Sequence, residues 1–139
     1  MPAWADRITD MMHEANTLAD SGYMSSAITT YISAAKLDSA KKLNQQNASL
    51  YYNMGLLMAE AGKKSEAREA FRKTLAIKPD HFKAQYSLAL ILDDLGEKDK
   101  AREAFAKALG MASGNAPVAQ EILQTMDERN LTLPITRNR

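Results

Sequence analysis

The chain has 139 residues, 45% hydrophobic and 25% charged, a composition that fits an ordinary globular protein of one domain and excludes intrinsic disorder. A net charge of +1 gives no sequence-wide reason to expect nucleic acid or an anionic membrane as partner. The absence of cysteine rules out a disulfide framework and a thiolate metal site. No run approaches the roughly 20 apolar residues of a membrane span, so no membrane insertion is expected. The opening MPAWADRITDMMHEAN has early acids and no apolar segment, unlike a secretory signal, which makes the cytoplasm the expected compartment.

Four prolines and six glycines punctuate helical patterns along the chain. The first pattern is faint: Gly22, Ala27, Tyr31 and Ala34 keep the same mutual spacing as Gly62, Ala67, Phe71 and Thr74 further on. Next, Leu50, Met54, Leu57, Met58 and Ala61 fall on one face of a helix that Gly62 stops, since glycine accepts a left-handed terminus. Ala67, Ala70, Phe71 and Leu75 share one face of the following helix, with Ser65 as its expected cap and Pro79 as its stop. Asp80 is the expected cap of the helix after that.

This pair then recurs: Ala-Arg-Glu-Ala-Phe occupies both 67–71 and 101–105, and Gly62 becomes Gly96. The step from the first copy to the second is longer than this one by six residues, within KLDSAKKLNQQNAS; without proline or glycine, these are expected to lengthen its second helix and turn. A last helix follows, with Asn115 as cap, Pro117 in the first turn and a stripe of Val118, Ile122, Leu123 and Met126. Its other face is polar, as a terminal cap on a stack requires. LTLPITRNR has no helical pattern and reads as a flexible tail.

A helix pair with a period of about 34 residues resembles the tetratricopeptide repeat (TPR). The middle copy carries the family pattern most fully, through Tyr51, Met54, the small Gly55, the turn residue Gly62, Ala67, Phe71 and Pro79. The third keeps Leu88, Ala89, Gly96, Ala101, Phe105 and Ala108, with Gln85 for the aromatic and Ser113 for the proline. The first keeps Ala15, Leu18, Gly22, Ala27, Tyr31 and Ala34 and departs at Met11 and Glu14. The resemblance implies an all-α, right-handed α-solenoid of three helix pairs and a capping helix. One domain is expected over 1–129, with repeats at about 8–41, 48–81 and 82–115, the cap at about 116–129, and a tail at 130–139.

The resemblance also implies a concave groove, lined by the first helix of each pair, that takes a peptide or helix of another protein. On this sequence its contacts are Met12 and Asn16, then Tyr52, Asn53, Leu56 and Glu60, then Lys83, Tyr86, Leu90, Asp93 and Asp94. Met12, Tyr52, Leu56, Tyr86 and Leu90 form an apolar strip that the core pattern does not need. Asn53 could bond a ligand backbone, and Glu60, Asp93 and Asp94 would favour a positive ligand.

Adaptor, scaffold and co-chaperone-like roles all fit. A carboxylate clamp for chaperone tails would use Asn16, Asn53 and Lys83, but Met12 and Ser87 stand where it needs a lysine and an arginine. Each missing charge-assisted bond costs about 1.5–3 kcal/mol. Self-assembly is the alternative, with Leu131, Leu133 and Ile135 of the tail entering a neighbour, so a homo-oligomer is possible.

Catalysis, metals and cofactors find no support. The only histidines are His13 and His81, and His13 lacks a second histidine four residues on. Acids interleave with the basic turns (Lys63, Lys64, Lys98, Lys100), which speaks against nucleic acid.

Overall fold

A computed structural model describes residues 3–40 and 47–132. Seven helices follow in order: α1 (Ala3–Asp20), α2 (Met24–Ala40), α3 (Ala48–Glu60), α4 (Lys64–Ile77), α5 (Phe82–Asp94), α6 (Lys98–Met111) and α7 (Ala116–Glu128). Among the described residues there is no strand. The chain divides into two compact units, Met1–Pro79 and Asp80–Arg139. The first contains the pairs α1–α2 and α3–α4; the second contains α5–α6 and then α7.

Each pair turns by the same device. Gly62 has φ of 81° and its successor Lys63 donates its N–H to the Met58 carbonyl at 2.8 Å. Gly22 and Gly96 repeat it at 90° and 84°, with Tyr23 bonded to Leu18 and Glu97 to Leu92. A residue with a Cβ is strained at such angles, so the glycines set the turns. α4 stops as expected, because Lys78 before Pro79 is driven to an extended conformation.

Two expected caps are different. α4 already begins at Lys64, so Ser65 lies inside it, and no side chain caps its start. At α5 the cap is His81 rather than Asp80: its Nδ1 accepts the Ala84 N–H at 3.1 Å. Asn115 does cap α7, accepting from the Val118 N–H at 3.3 Å.

In the first unit the core is built from Ala15, Ala27, Tyr31 and Ala34, then Leu50, Tyr51, Met54, Ala67 and Phe71, all buried. Gly55 lets the middle pair close up, since a Cβ there would lie 2.7 Å from Cε1 of Phe71. Thr74, not Leu75, completes the buried face of α4; its hydroxyl is satisfied by the Ala70 carbonyl at 2.9 Å. Ala61 is exposed. α2 has 17 residues against 14 in α4 and α6, three of the six extra residues, and 41–46, which follow it, lie outside the described residues.

The second unit buries Leu88, Ala89, Ile91, Leu92, Ala101, Phe105 and Ala108, and α7 adds Ile122 and Met126. Where an aromatic is usual, Gln85 is buried and its Nε2 donates to the Ala104 carbonyl at 3.0 Å, tying α5 to α6. The expected tail starts later than residue 130. Asn130 takes a left-handed φ of 59°, and Leu131 donates to the Met126 carbonyl at 2.7 Å and is fully buried. Leu131 therefore closes its own helix and is withdrawn from any role as an anchor on a neighbour. Leu133 and Ile135 lie outside the described residues.

Candidate functional site

The candidate contacts fall in both units, and each set is described by itself. In the first unit, Met12 and Asn16 lie on α1, and Tyr52, Asn53, Leu56 and Glu60 on α3 at helical spacing. The buried Tyr31 of α2 joins the two helices. Its hydroxyl donates to Asn16 Oδ1 at 2.5 Å and also bonds the Asn53 side chain. Burial pushes the Tyr31 phenol above its ordinary value, and the Asn53 and Asn16 bonds oppose that rise. The two asparagines thus have a structural task, which accounts for their presence without a carboxylate ligand.

Around this anchor, Leu56 is 40% exposed, Met12 is half-buried and Glu60 is exposed. Tyr52 is half-buried, with its ring centroid 5.9 Å from that of Phe71, so it serves the core and the surface together.

In the second unit the acids have a different role from the one expected. Asp93 is buried, and its carboxylate is claimed on both oxygens, by Lys98 Nζ at 2.5 Å and by Arg129 Nη1 at 2.7 Å. Arg129 Nη1 also reaches Asp94 Oδ1 at 2.9 Å. Burial raises the Asp93 carboxyl, but the hydrogen bonds and charges of Lys98 and Arg129 outweigh it and hold the group below the usual carboxylate range. For Arg129, burial works against its charge and the two aspartates overcome it, raising its value. Asp93 and Asp94 therefore clamp the end of α7 to α5 rather than offering free charge to a ligand.

Tyr86 is likewise engaged. Its ring stacks on Phe82 at 6.2 Å and meets Phe105 edge-on at 5.8 Å. Its hydroxyl lies 2.9 Å from Thr125 Oγ1, and since Thr125 already donates to the Glu121 carbonyl, Tyr86 is the donor. Leu90 is half-buried and Lys83 exposed.

A further buried group was not flagged by the sequence pattern. Asp38 of α2 is fully buried; Tyr51 donates to its Oδ2 at 3.0 Å, and its Oδ1 has no hydrogen-bond partner. Burial raises its carboxyl, against the Tyr51 bond and the charge of Lys73. Lys73 Nζ sits 5.2 Å from the centre of the same Tyr51 ring. An acid following KL in a polar stretch carries no sign of burial, because the tyrosine that meets it belongs to the next helix.

Among the described residues, no group of three or more histidine, aspartate or glutamate side chains could hold a metal. None of the described helices is long and apolar enough to cross a membrane.

A tetratricopeptide-repeat family model matches residues 14–80 and 52–116. The chain belongs to the tetratricopeptide repeat family. Solved TPR structures share the all-α fold. A crystal structure of MamA superposes with a TM-score of 0.72 at 26% identity, covering 89% of this chain and 69% of that one. The second TPR domain of human RPAP3, in complex with the HSP70 peptide SGPTIEEVD, gives 0.71 at 20% identity, covering 86% and 98%. The Yersinia enterocolitica type III secretion chaperone SycD, in complex with a peptide of the translocator YopD, gives 0.76 at 13% identity, covering 91% and 94%. No curated protein sequence matches significantly.

Proposed function

We propose that this TPR protein is a non-catalytic, cytoplasmic interaction module that binds a peptide or helix of another protein on the α1–α3 face. The observation that carries the reading is the Tyr31 hydroxyl, which joins Asn16 of α1 to Asn53 of α3. It sets side by side two helix faces whose apolar residues, Met12, Tyr52 and Leu56, are left partly open. Support also comes from two of the similar folds, RPAP3 and SycD, each of which holds a peptide.

The ligand favoured by this surface is apolar at its centre. Leu56 and Tyr52 supply contact area, and Glu60 is the acid left exposed to bias charge. A chaperone tail is disfavoured, because the asparagines are tied to Tyr31 and the lysine and arginine of a clamp are replaced by Met12 and Ser87.

The test is peptide selection from a displayed random library, run on wild type and on Leu56→Gln/Met12→Gln, both of which replace partly open side chains. A consensus with apolar anchors that the double variant fails to enrich is expected. Selection of no sequence by the wild type, or of the same sequences by both proteins, would sink the reading. In parallel, the peptide SGPTIEEVD should show no Lys83-dependent binding.

A further inference from the structure

In the first unit α2 differs from α4 in what it shows to solvent. From Met24 to Ala35 it carries no charged residue, whereas α4 carries six between Lys64 and Lys73. Ser26, Thr29, Ile32 and Ser33 are nonetheless exposed, Ile32 to 37%. The Thr29 and Thr30 hydroxyls donate to the Ser25 and Ser26 carbonyls at 3.0 and 2.9 Å, so their protons are already used within the helix. An exposed face without charge is the character of the centre of an interface.

Beside Ile32, between α2 and α4, lies a cavity of about 670 Å³ that Met54 and Met58 of α3 help to line. Its charges are sorted by end. Lys73 Nζ lies 5.2 Å from the ring centre of Tyr51, whose hydroxyl bonds Asp38, so Lys73 and Lys36 share the end where α2 and α4 finish. Glu66, in the first turn of α4, lines the other end, seven residues or about 10 Å from Lys73. Glu69 between them is engaged by Arg72 at 3.1 Å. Lys36 and Glu66 are exposed, and among the described residues neither has an ion-pair partner.

A groove positive at one end and negative at the other is complementary to itself once turned end for end, which is what a two-fold axis does. We propose that this α2–α4 face pairs with the same face of a second copy, so that Lys36 of each meets Glu66 of the other. The register agrees with that pairing. Ala67 and Phe71 of α4 correspond to Ala27 and Tyr31 of α2, which sets Glu66 level with Ser26. Ile32 falls close to the midpoint between Ser26 and Lys36, so the two Ile32 side chains meet near the axis. The uncharged face of each α2 then covers the cavity of the other copy. An unrelated chain would need both ends matched separately, whereas a second copy matches them by symmetry. The contact is confined to one groove, and a dimer dissociating at about 10–100 µM is expected. This face is not the α1–α3 face, so dimerisation and peptide selection succeed or fail separately.

The experiment is sedimentation equilibrium of the full chain between about 5 and 500 µM. It compares wild type, Lys36→Glu, Glu66→Lys and an equimolar mixture of these two variants. Both side chains are exposed, so folding is retained, and circular dichroism checks it. Each variant alone sets like charges together at both contacts and should weaken the dimer at least about tenfold. The mixture should form a heterodimer about as tight as the wild-type dimer, because each of its contacts again joins opposite charges. Variants that dimerise as wild type does, or a mixture no tighter than either variant alone, would overturn the proposal. A wild type still monomeric at about 500 µM would also overturn it and leave the groove to a different chain.

Discussion

Gly55→Ala is the sharpest probe of how the middle helix pair is packed. The added Cβ would sit 2.7, 2.9 and 3.1 Å from Cε1, Cδ1 and Cζ of Phe71. Carbon atoms in good contact are about 3.5–4.0 Å apart, so the ring or the helix must shift by close to an ångström. Phe71 is 1% exposed, so a displaced ring cannot simply swing into solvent. Overpacking of this kind costs about 1–3 kcal/mol. Alanine returns about 1 kcal/mol of helix propensity, leaving a net loss of up to about 2 kcal/mol. Urea unfolding followed by circular dichroism measures the loss. The double variant Gly55→Ala/Phe71→Leu should recover part of it, giving a favourable coupling of about 1 kcal/mol in a double-mutant cycle. The equivalent position in the next repeat is Ala89, fully buried with its Cβ already in place, so the family pattern tolerates alanine where the pair is spaced for it. A Gly55→Ala protein more stable than wild type, or one showing no coupling to Phe71→Leu, would refute the close-packing explanation.

Three further outcomes follow from the polar contacts. Arg129→Ala should lower the stability of the second unit by about 1–2 kcal/mol, the worth of a charged hydrogen bond reduced for partial exposure, and should release α7 in hydrogen exchange before α5 or α6. His81→Ala should cost about 0.5–1 kcal/mol and shorten protection at the start of α5, while His81→Asp should retain the cap; equal protection in all three would contradict the assignment. On acidification the two units should respond with opposite sign. Asp93 has a lowered folded value, so its contribution is present above the ordinary carboxylate value of about 4 and is lost as pH falls through that lowered value. Asp38 has a raised folded value, so its buried charge is a cost at neutral pH that is relieved as the group takes up its proton. Residue-resolved hydrogen exchange between about pH 6 and 3 should show α5–α7 losing protection relative to α2–α4, and parallel loss in both units would refute the assignment.

The helices and their order were legible because the signals are local. A glycine with positive φ needs only its own turn, and Gly22, Gly62 and Gly96 mark all three pairs. The core was legible for the same reason: Ala67, Phe71, Ala101 and Phe105 repeat because the same contact repeats, and all four are buried. Caps were less so. Ser65 and Asp80 have the right chemistry close to the right place, and the exact start of a helix depends on how the preceding turn exits.

The candidate site was legible in outline but not in charge, for a reason that reaches beyond these residues. Helical spacing places Asp93 and Asp94 on the surface-facing side of α5, and nothing near them in sequence except Lys98 hints at a partner. Arg129, the cation that neutralises both, arrives two helices later, just past the end of α7. Asp38 is the mirror case, a buried acid whose tyrosine and lysine arrive with α3 and α4. In a stacked repeat each helix is written by a local pattern, while each charge is settled by the helix that packs on it next.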